Sequence, residues 1–456
     1  GPLPHRCAGR TEPVTDSSNA TAAEVPISAI AHLRLGLAGL GTVGSGVVRI
    51  LQTNPGLIAA RAGRPIEIAA VSARSRGRDR GGDLDAYAWE DDPIELARRT
   101  DVDLLVEVIG GEEGPARAVV EAALAAGKSV VTANKALMAR HGVALATTAE
   151  VAGVALRYEA AVAGGIPVVK ALNEGLAGNR VTRILGVLNG TCNYILTQME
   201  ATGATYQTVL AEAQRLGYAE ADPSFDVGGI DAAQKLALLA TAAFGQTVTL
   251  DDIAVEGIER VSLADIEHAA ELGYRIKLLG SAARTTSGVA ARMQPSLVSA
   301  DTPIGHLDGV TNMVVLEGDA VGRIVLSGPG AGSGPTASAV LADIVDIARG
   351  PTAPAFGVPA ASLGASRGRG GEEKASYYLR FLLTDAPGVL ARVAAALGDE
   401  GISIDRMRQV AHAHAHAPVL IVTHETRAAE LARALATIRD LDVCRDDPVA
   451  IRIERL

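Results

Sequence analysis

Cysteine is scarce: three residues in 456, at Cys7, Cys192 and Cys444. Thiols so few and so far apart make neither a disulfide framework nor a zinc-ligand pattern, and a reducing cytoplasm is the expected setting. Aromatic side chains are sparse too, at 3%, which argues against the stacking platforms of single-strand nucleic-acid binders. A basic excess is missing. The 42 Lys and Arg against 52 Asp and Glu leave a formal charge of −10, the wrong sign for a surface that neutralises phosphates, so nucleic acid is excluded as a partner. No apolar run approaches the roughly 20 residues that span a bilayer, and the opening residues lack the apolar centre of a secretory signal. What remains is a globular composition, 48% hydrophobic and 21% charged, with 50 glycines that permit tight backbone approaches. The length calls for two or three domains.

Residues 1–30 read as a tail outside the folded units. From Leu33 the chain reads strand, glycine turn, helix, and further apolar runs follow at 66–73, 102–110 and 128–133. Short apolar strands alternating with helical segments predict βαβ units and a Rossmann-type, doubly wound parallel sheet over 31–160, completed by a helix at 335–349. That alternation is lost over 161–334, which predicts a mixed α/β unit for substrate binding and dimerisation. Residues 350–375, rich in Gly, Pro and charge, read as an exposed linker. The last unit, 376–456, has the order βαββαβ of a ferredoxin-like fold.

Gly39, Gly41 and Gly44 form G-x-G-x-x-G directly between a strand and a helix. There the glycines permit a tight turn and let amides approach a pyrophosphate at a helix N-terminus, so a dinucleotide site is expected. A site for NAD usually ends its second strand on a carboxylate. Here that strand runs into Arg74 and Arg76, with no carboxylate before Asp79. A guanidinium pairs bidentately with a 2′-phosphate, which favours NADP(H) and leaves NAD(H) as the alternative. Arg74 and Arg76 as plain solvated turn charges are the competing account. Lys135, in Thr132–Lys135 at the end of the fourth strand, sits where doubly wound sheets place ligands. Asp231 and Lys235 lie four apart on one face of an apolar helix, with Glu220 in the loop ahead of it. Such spacing usually marks a surface ion pair. The leucines at 236, 238 and 239 make this helix a buried one instead, where an ion pair is expensive without a role.

The runs GLGTVG, EVIGG (107–111), TANKAL (132–137), YEAAVAGGIPVVK (158–170), GVLNGTCNYIL (186–196), AEADPSFDVGGIDAAQK and GPGAG (328–332) occur in this order. In this the region from Leu33 to Arg349 resembles the homoserine dehydrogenases of the monofunctional type, and the last unit, with Asp385–Leu390 at its first strand-to-helix turn, resembles an ACT domain. The resemblance implies NAD(P)-dependent interconversion of L-homoserine and L-aspartate 4-semialdehyde, in threonine, methionine and isoleucine biosynthesis. It casts Lys235 as the proton-transfer group at the C4 oxygen, Asp231 and Glu220 as substrate ligands, and Lys135 beside both nicotinamide and substrate. It implies cofactor contacts at Gly39, Gly41, Thr42, Val43, Gly44, Gly110, Lys135, Gly217, Glu220 and Gly332. It also implies a monovalent cation, Na+ or K+, held by Glu159 with the carbonyls of Val162, Gly164 and Ile166. A homodimer or homotetramer, with an amino-acid effector such as L-threonine at the ACT unit, belongs to the same expectation.

Two other readings stand beside it. A semialdehyde-oxidising relative needs a nucleophilic cysteine for its thioester, and Cys192 is the sole candidate in the catalytic region, with no histidine adjacent. A non-catalytic amino-acid sensor would not need the glycine turn or the Asp231/Lys235 helix. One departure is the alternation His412, His414, His416 with alanine. In a strand it would put three imidazoles on one face, as a metal or pH site, whereas a solvated strand edge or hairpin explains it more simply.

Overall fold

The computed structural model describes residues 31–77, 84–365, 373–409 and 416–456. The first unit runs β1 (Leu33–Ala38), α1 (Thr42–Thr53), α2 (Pro55–Ala62), β2 (Ile66–Ser72), β3 (Ala88–Glu90), α3 (Pro93–Arg98), β4 (Leu104–Glu107), α4 (Pro115–Ala125), β5 (Ser129–Thr132), α5 (Lys135–Ala152) and β6 (Leu156–Arg157). Its strands pair in the order β3-β2-β1-β4-β5-β6, all parallel. The order reverses between β1 and β4, and the crevice beyond the strands' carboxyl ends at that point is where such sheets bind ligands.

The three glycines of the first turn have separable physical roles. Gly39 takes φ +108°, and a Cβ there would lie 2.6 Å from the Val108 carbonyl, so a side chain would push β1 away from the loop after β4. A Cβ on Gly44 would lie 2.1 Å from the Gly39 carbonyl, so this glycine sets the closeness of helix to turn. Gly41 faces open space, and as N-cap of α1 it offers no side-chain cap to the first amides of that helix. The uncapped amides are available to an anion. Gly39→Ala is expected to destabilise the fold by about 1–3 kcal/mol or more through the forced positive φ, read as a lower unfolding midpoint together with weakened NADPH binding.

The chain continues through α6 (Val168–Lys170), β7 (Val181–Val187), α7 (Gly190–Thr202), α8 (Tyr206–Arg215), α9 (Ser224–Val227), α10 (Ile230–Phe244), β8 (Gln246–Thr247), β9 (Ile253–Val255), α11 (Leu263–Glu271), β10 (Tyr274–Thr285), β11 (Gly288–Ser299), β12 (Thr311–Gly318) and β13 (Gly322–Pro329). Then α12 (Ser333–Arg349) returns to the first unit. Its apolar face (Ala337, Val340, Leu341, Ile344) shares a core with Val47, Val48 and Leu51 of α1. Gly46 makes the approach possible, since a Cβ there would meet the Ser333 carbonyl at 2.7 Å.

After β14 (Gly364–Ala365), the C-terminal unit contains β15 (Ser376–Thr384), α13 (Val389–Asp399), β16 (Ile404–Gln409), β17 (His416–Thr423), α14 (Ala428–Asp440) and β18 (Val449–Glu454). Its βαββαβ order follows the sequence reading, but its independence does not. Strand β18 pairs parallel with β11 through Ser296–Val298 and Arg452–Glu454. The substrate and C-terminal units therefore share one sheet, in the order β13-β12-β7-β10-β11-β18-β15-β17-β16, with β9 added beside β11. The segment read as an exposed linker differs as well. Phe356 is 1% exposed, with its ring 5.4 Å from that of Tyr158, and β14 pairs with β8. Its glycines and prolines mask an aromatic side chain that gains by burial. Of the alternating histidines, His412 and His414 lie outside the described residues, and His416 opens β17 opposite Thr384. No group of His, Cys, Asp or Glu among the described residues is placed to hold a metal ion, and no described helix is long and apolar enough to cross a membrane.

Candidate active site

Three segments converge on the crevice. Within the first, Glu107 at the end of β4 is fully buried, and its carboxylate accepts the amides of Ile109 and Gly110 and the Thr132 hydroxyl. Burial raises its pKa against those hydrogen bonds. Asn134 caps α5 through the Leu137 amide and donates to the Gly111 carbonyl at 2.7 Å. Thr132 and Asn134 thus tie the EVIGG loop in place and start α5 so that Lys135, its first residue, faces the second unit.

The second segment is α10. Gly229, in the left-handed region at φ +83°, starts it, and Asp231 and Lys235 share its buried face. Lys235 Nζ donates to Asp231 Oδ2 and to the Leu188 carbonyl, both at 2.8 Å. Lys135 Nζ reaches Asp231 Oδ1 at 3.1 Å from the other side. Burial disfavours charge on Asp231, but the two ammonium groups outweigh it and hold the carboxyl well below the usual range. Asp231 therefore orients both lysines. Asn189, the N-cap of α7, donates to Asp231 and to Asp226, whose carboxyl burial pushes up.

The third segment is a pair of interlocked glycine turns. A Cβ on Gly164 would lie 2.4 Å from the Gly330 carbonyl, and the Gly165 amide donates to the Pro329 carbonyl at 3.0 Å. Backbone packed on backbone in this way requires the glycines of both the YEAAVAGGIP and GPGAG runs.

Together these segments enclose a cleft of about 630 Å³ between the first and second units. Of the residues expected at the site, Val43, Lys135, Val162, Gly164, Gly217, Glu220, Asp231, Lys235 and Gly332 line it. Gly39, Gly41 and Gly44 are not among its lining residues, and the Thr42 carbonyl ties α1 to α12 by accepting the Ser333 hydroxyl at 2.8 Å. Gly110 is exposed in the loop after β4, and Arg74 is exposed just past the end of β2. Arg76 instead lies over the Trp89 ring, 5.7 Å from its centroid.

Among the expected cation ligands, the Glu159 side chain is already engaged by the backbone. Both Glu159 carboxylate oxygens accept amides, from Val169 at 2.9 Å and Lys170 at 2.7 Å. The group is 1% exposed, and burial with Asp343 nearby pushes its pKa up to about 7. Ile166 is buried at 2% and its carbonyl accepts the Val168 amide. The Glu159 side chain is therefore a cap on α6, and Val162 and Gly164 alone of the four reach the cleft lining.

Cys192 is fully buried, its Sγ donating to the Asp226 carbonyl at 3.3 Å. Burial, with Asp226 and Asp231 nearby, raises its pKa well above that of a free thiol, and Cys192 is not among the residues that line the cleft, so it presents no thiol to a substrate there. The sequence reading did not single out Asn189, Asp226 or Glu107. All three stood within quoted runs, Glu107 as the first residue of EVIGG, but nothing local distinguished them from strand-end, turn and cap residues.

A dinucleotide crevice opening onto a carboxylate clamped by two lysines, with no cysteine among the described residues that line it, is the arrangement of a nicotinamide-dependent oxidoreductase acting on a CH–OH group. Residues 39–159 match the family model described as homoserine dehydrogenase, NAD binding domain, residues 167–345 match that described as homoserine dehydrogenase, and residues 377–443 match the ACT domain. A homoserine dehydrogenase of Pseudomonas aeruginosa is 43% identical over 93% of this chain and 99% of its own. The crystal structure of a homoserine dehydrogenase from Thiobacillus denitrificans is 41% identical, with TM-score 0.87 over 93% of this chain and 99% of that one. A hyperthermophilic archaeal homoserine dehydrogenase in complex with NADPH is 27% identical, with TM-score 0.60 over 69% of this chain and 97% of that one. The chain belongs to the homoserine dehydrogenase family, and its nucleotide unit takes a nicotinamide cofactor.

Proposed function

We propose that the cleft interconverts L-homoserine and L-aspartate 4-semialdehyde with Lys235 moving the proton at the C4 oxygen. The observation that carries this is the clamp on Asp231. One carboxylate holds Lys235 and Lys135 at the mouth of the dinucleotide crevice, where a positive charge offsets a developing alkoxide. In reduction, Lys235 donates its proton to the aldehyde oxygen; in oxidation it accepts the hydroxyl proton. Lys135 and Glu220 line the same cleft and would meet the amino-acid end of the substrate, a carboxylate by Lys135 and an ammonium by Glu220. The nicotinamide, when bound, supplies or takes the hydride, and the chain supplies placement and charge. The uncapped start of α1, at Thr42, Val43 and Gly44, would hold the pyrophosphate, with Gly110 and Gly332 at the crevice walls.

Arg74 is the 2′-phosphate partner in this reading, so NADP(H) is preferred. Arg74→Ala is expected to raise the KM for NADPH about tenfold to a hundredfold, as loss of a charge-assisted hydrogen bond does, while leaving the KM for NADH nearly unchanged. Equal effects on both cofactors would remove Arg74 from the phosphate site. A Na+ or K+ ion at the carbonyls of Val162 and Gly164 would tie the two units together without entering the reaction. Pairing of subunits, an amino-acid effector such as L-threonine at the ACT unit, and a cytoplasmic setting complete the reading. Its central test is NADPH oxidation with L-aspartate 4-semialdehyde. No turnover with either cofactor would overturn it.

A further inference from the structure

Asn189 does more than start a helix. Its side-chain oxygen accepts the Cys192 amide at 2.9 Å, capping α7. Its one side-chain nitrogen donates to Asp226 Oδ1 at 2.8 Å and to Asp231 Oδ2 at 3.0 Å. All the carboxamide's hydrogens are therefore used, and the group is 5% exposed. Ser, Thr, Asp and Asn all cap helices well, yet only Asn combines a capping oxygen with two donor hydrogens on one small group. The backbone offers no slack. A Cβ on the next residue, Gly190, would sit 2.5 Å from the Val310 carbonyl, so the helix start is wedged against the opposite wall.

We propose that Asn189 is a positioning residue for the reaction, its carboxamide nitrogen holding Asp226 and Asp231 side by side as one array that seats Lys235. This rests on the reading of Lys235 as the proton-transfer group. Two carboxylates that share one donor nitrogen repel, and Asp231, 5% exposed, is not free to turn toward water. Asp231 is neutralised by Lys235 and Lys135. Asp226 makes no ion pair with either lysine, and Asn189 is the side chain that donates to it. The other charged or titratable groups around Asp226 are Lys235 and Asp231 from α10, Lys135 from α5, and Cys192 from α7. Glu259, in the loop ahead of α11, acts on the neighbouring Cys192.

The sign of the effect follows. Burial and Asp231 push the Asp226 carboxyl up, while the Asn189 hydrogen bond opposes them by favouring the charged form. Removing the donor lets Asp226 take up a proton at higher pH, and the array then loses a negative charge beneath the substrate.

Two variants separate positioning from capping. Asn189→Ser keeps a capping oxygen but exchanges the two amide hydrogens for a single hydroxyl hydrogen on a shorter side chain, so it cannot bridge both carboxylates. Asn189→Asp keeps the volume and the cap and places a third carboxylate in the array. In both, kcat/KM for aspartate semialdehyde at pH 7 is expected to fall about tenfold to a hundredfold, with NADPH affinity retained. The acid limb of the kcat/KM–pH profile should move to higher pH, further for Asp than for Ser. If Asn189→Ser does not fold, Asn189→Asp, with its isosteric side chain, decides alone. An acid limb at the wild-type position, whatever the loss in rate, would reduce Asn189 to a helix cap and overturn the proposal. Failure of the underlying reading is seen separately, as a Lys235→Met variant that retains its kcat, and it removes this proposal too.

Discussion

Replacing Lys235 with methionine is expected to lower kcat about a thousandfold, within the range for loss of a general acid–base group and equivalent to about 4 kcal/mol of transition-state stabilisation. Methionine keeps much of the aliphatic stem that fills the face of α10, so the loss falls on the charge and its proton. The ammonium in this protein has two partners, Asp231 Oδ2 and the Leu188 carbonyl. Deleting it leaves Lys135 as the one cation on Asp231, so the variant still folds around a paired carboxylate. NADPH affinity, read by fluorescence titration, should remain within a fewfold of wild type, because the uncapped start of α1 and the Arg74 region lie on other elements. A retained kcat would exclude Lys235 as the proton-transfer group and turn attention to Lys135.

The second large effect concerns stability. Asp265 is fully buried at the start of α11, where it forms a reciprocal cap with Ser262. It also accepts two hydrogen bonds from Arg380 of β15, at 2.6 and 3.2 Å, and one from the Tyr378 hydroxyl at 3.4 Å. One carboxylate thus fastens the C-terminal unit to the substrate unit beside the shared sheet. Asp265→Ala strands the Arg380 charge, and breaking a buried pair from one side costs about 3–5 kcal/mol. Chemical denaturation should show that loss. The double variant Asp265→Ala/Arg380→Met should recover part of it, since no unpaired charge is then left buried. Equal midpoints for the single and double variants would show that the cap, rather than the ion pair, carries the stability.

The loop between β9 and α11 gives this contact a further consequence. The Ile258 amide donates to the Val227 carbonyl at 2.9 Å, and Gly257 packs within 2.7 Å of Gly228, measured from the position its Cβ would occupy. Val227 and Gly228 link Asp226, in α9, to the start of α10. The Asp265 variants should therefore also raise the KM for aspartate semialdehyde, measured on the folded protein, as that link loosens.

Much of this was legible along the chain. The glycines at 39, 41 and 44, the apolar runs of the parallel sheet, and the Asp231/Lys235 pair on a leucine-flanked helix all express local rules: turn chemistry, alternation and helical spacing. So does the βαββαβ order of the last unit. Strands β3 and β6, three and two residues long, escaped because they are too short to show a pattern. Phe356 escaped because its neighbours are turn formers, and only its contact with Tyr158 shows that it belongs to a core.

Local pattern alone therefore determined the longer elements, which turn is built for a dinucleotide, and which lysines and carboxylates are candidates for the chemistry. Tertiary structure decided how those groups meet. Lys135 and Lys235, a hundred residues apart, share Asp231 because two domains close on each other. Asn189 spans Asp226 and Asp231 because α7 begins beside the turn into α10. Strand β18 completes a sheet begun by β7, long before it in sequence. Hydrogen bonds and ion pairs between distant segments depend on the closure of the chain, and no periodicity in the residues themselves encodes their partners.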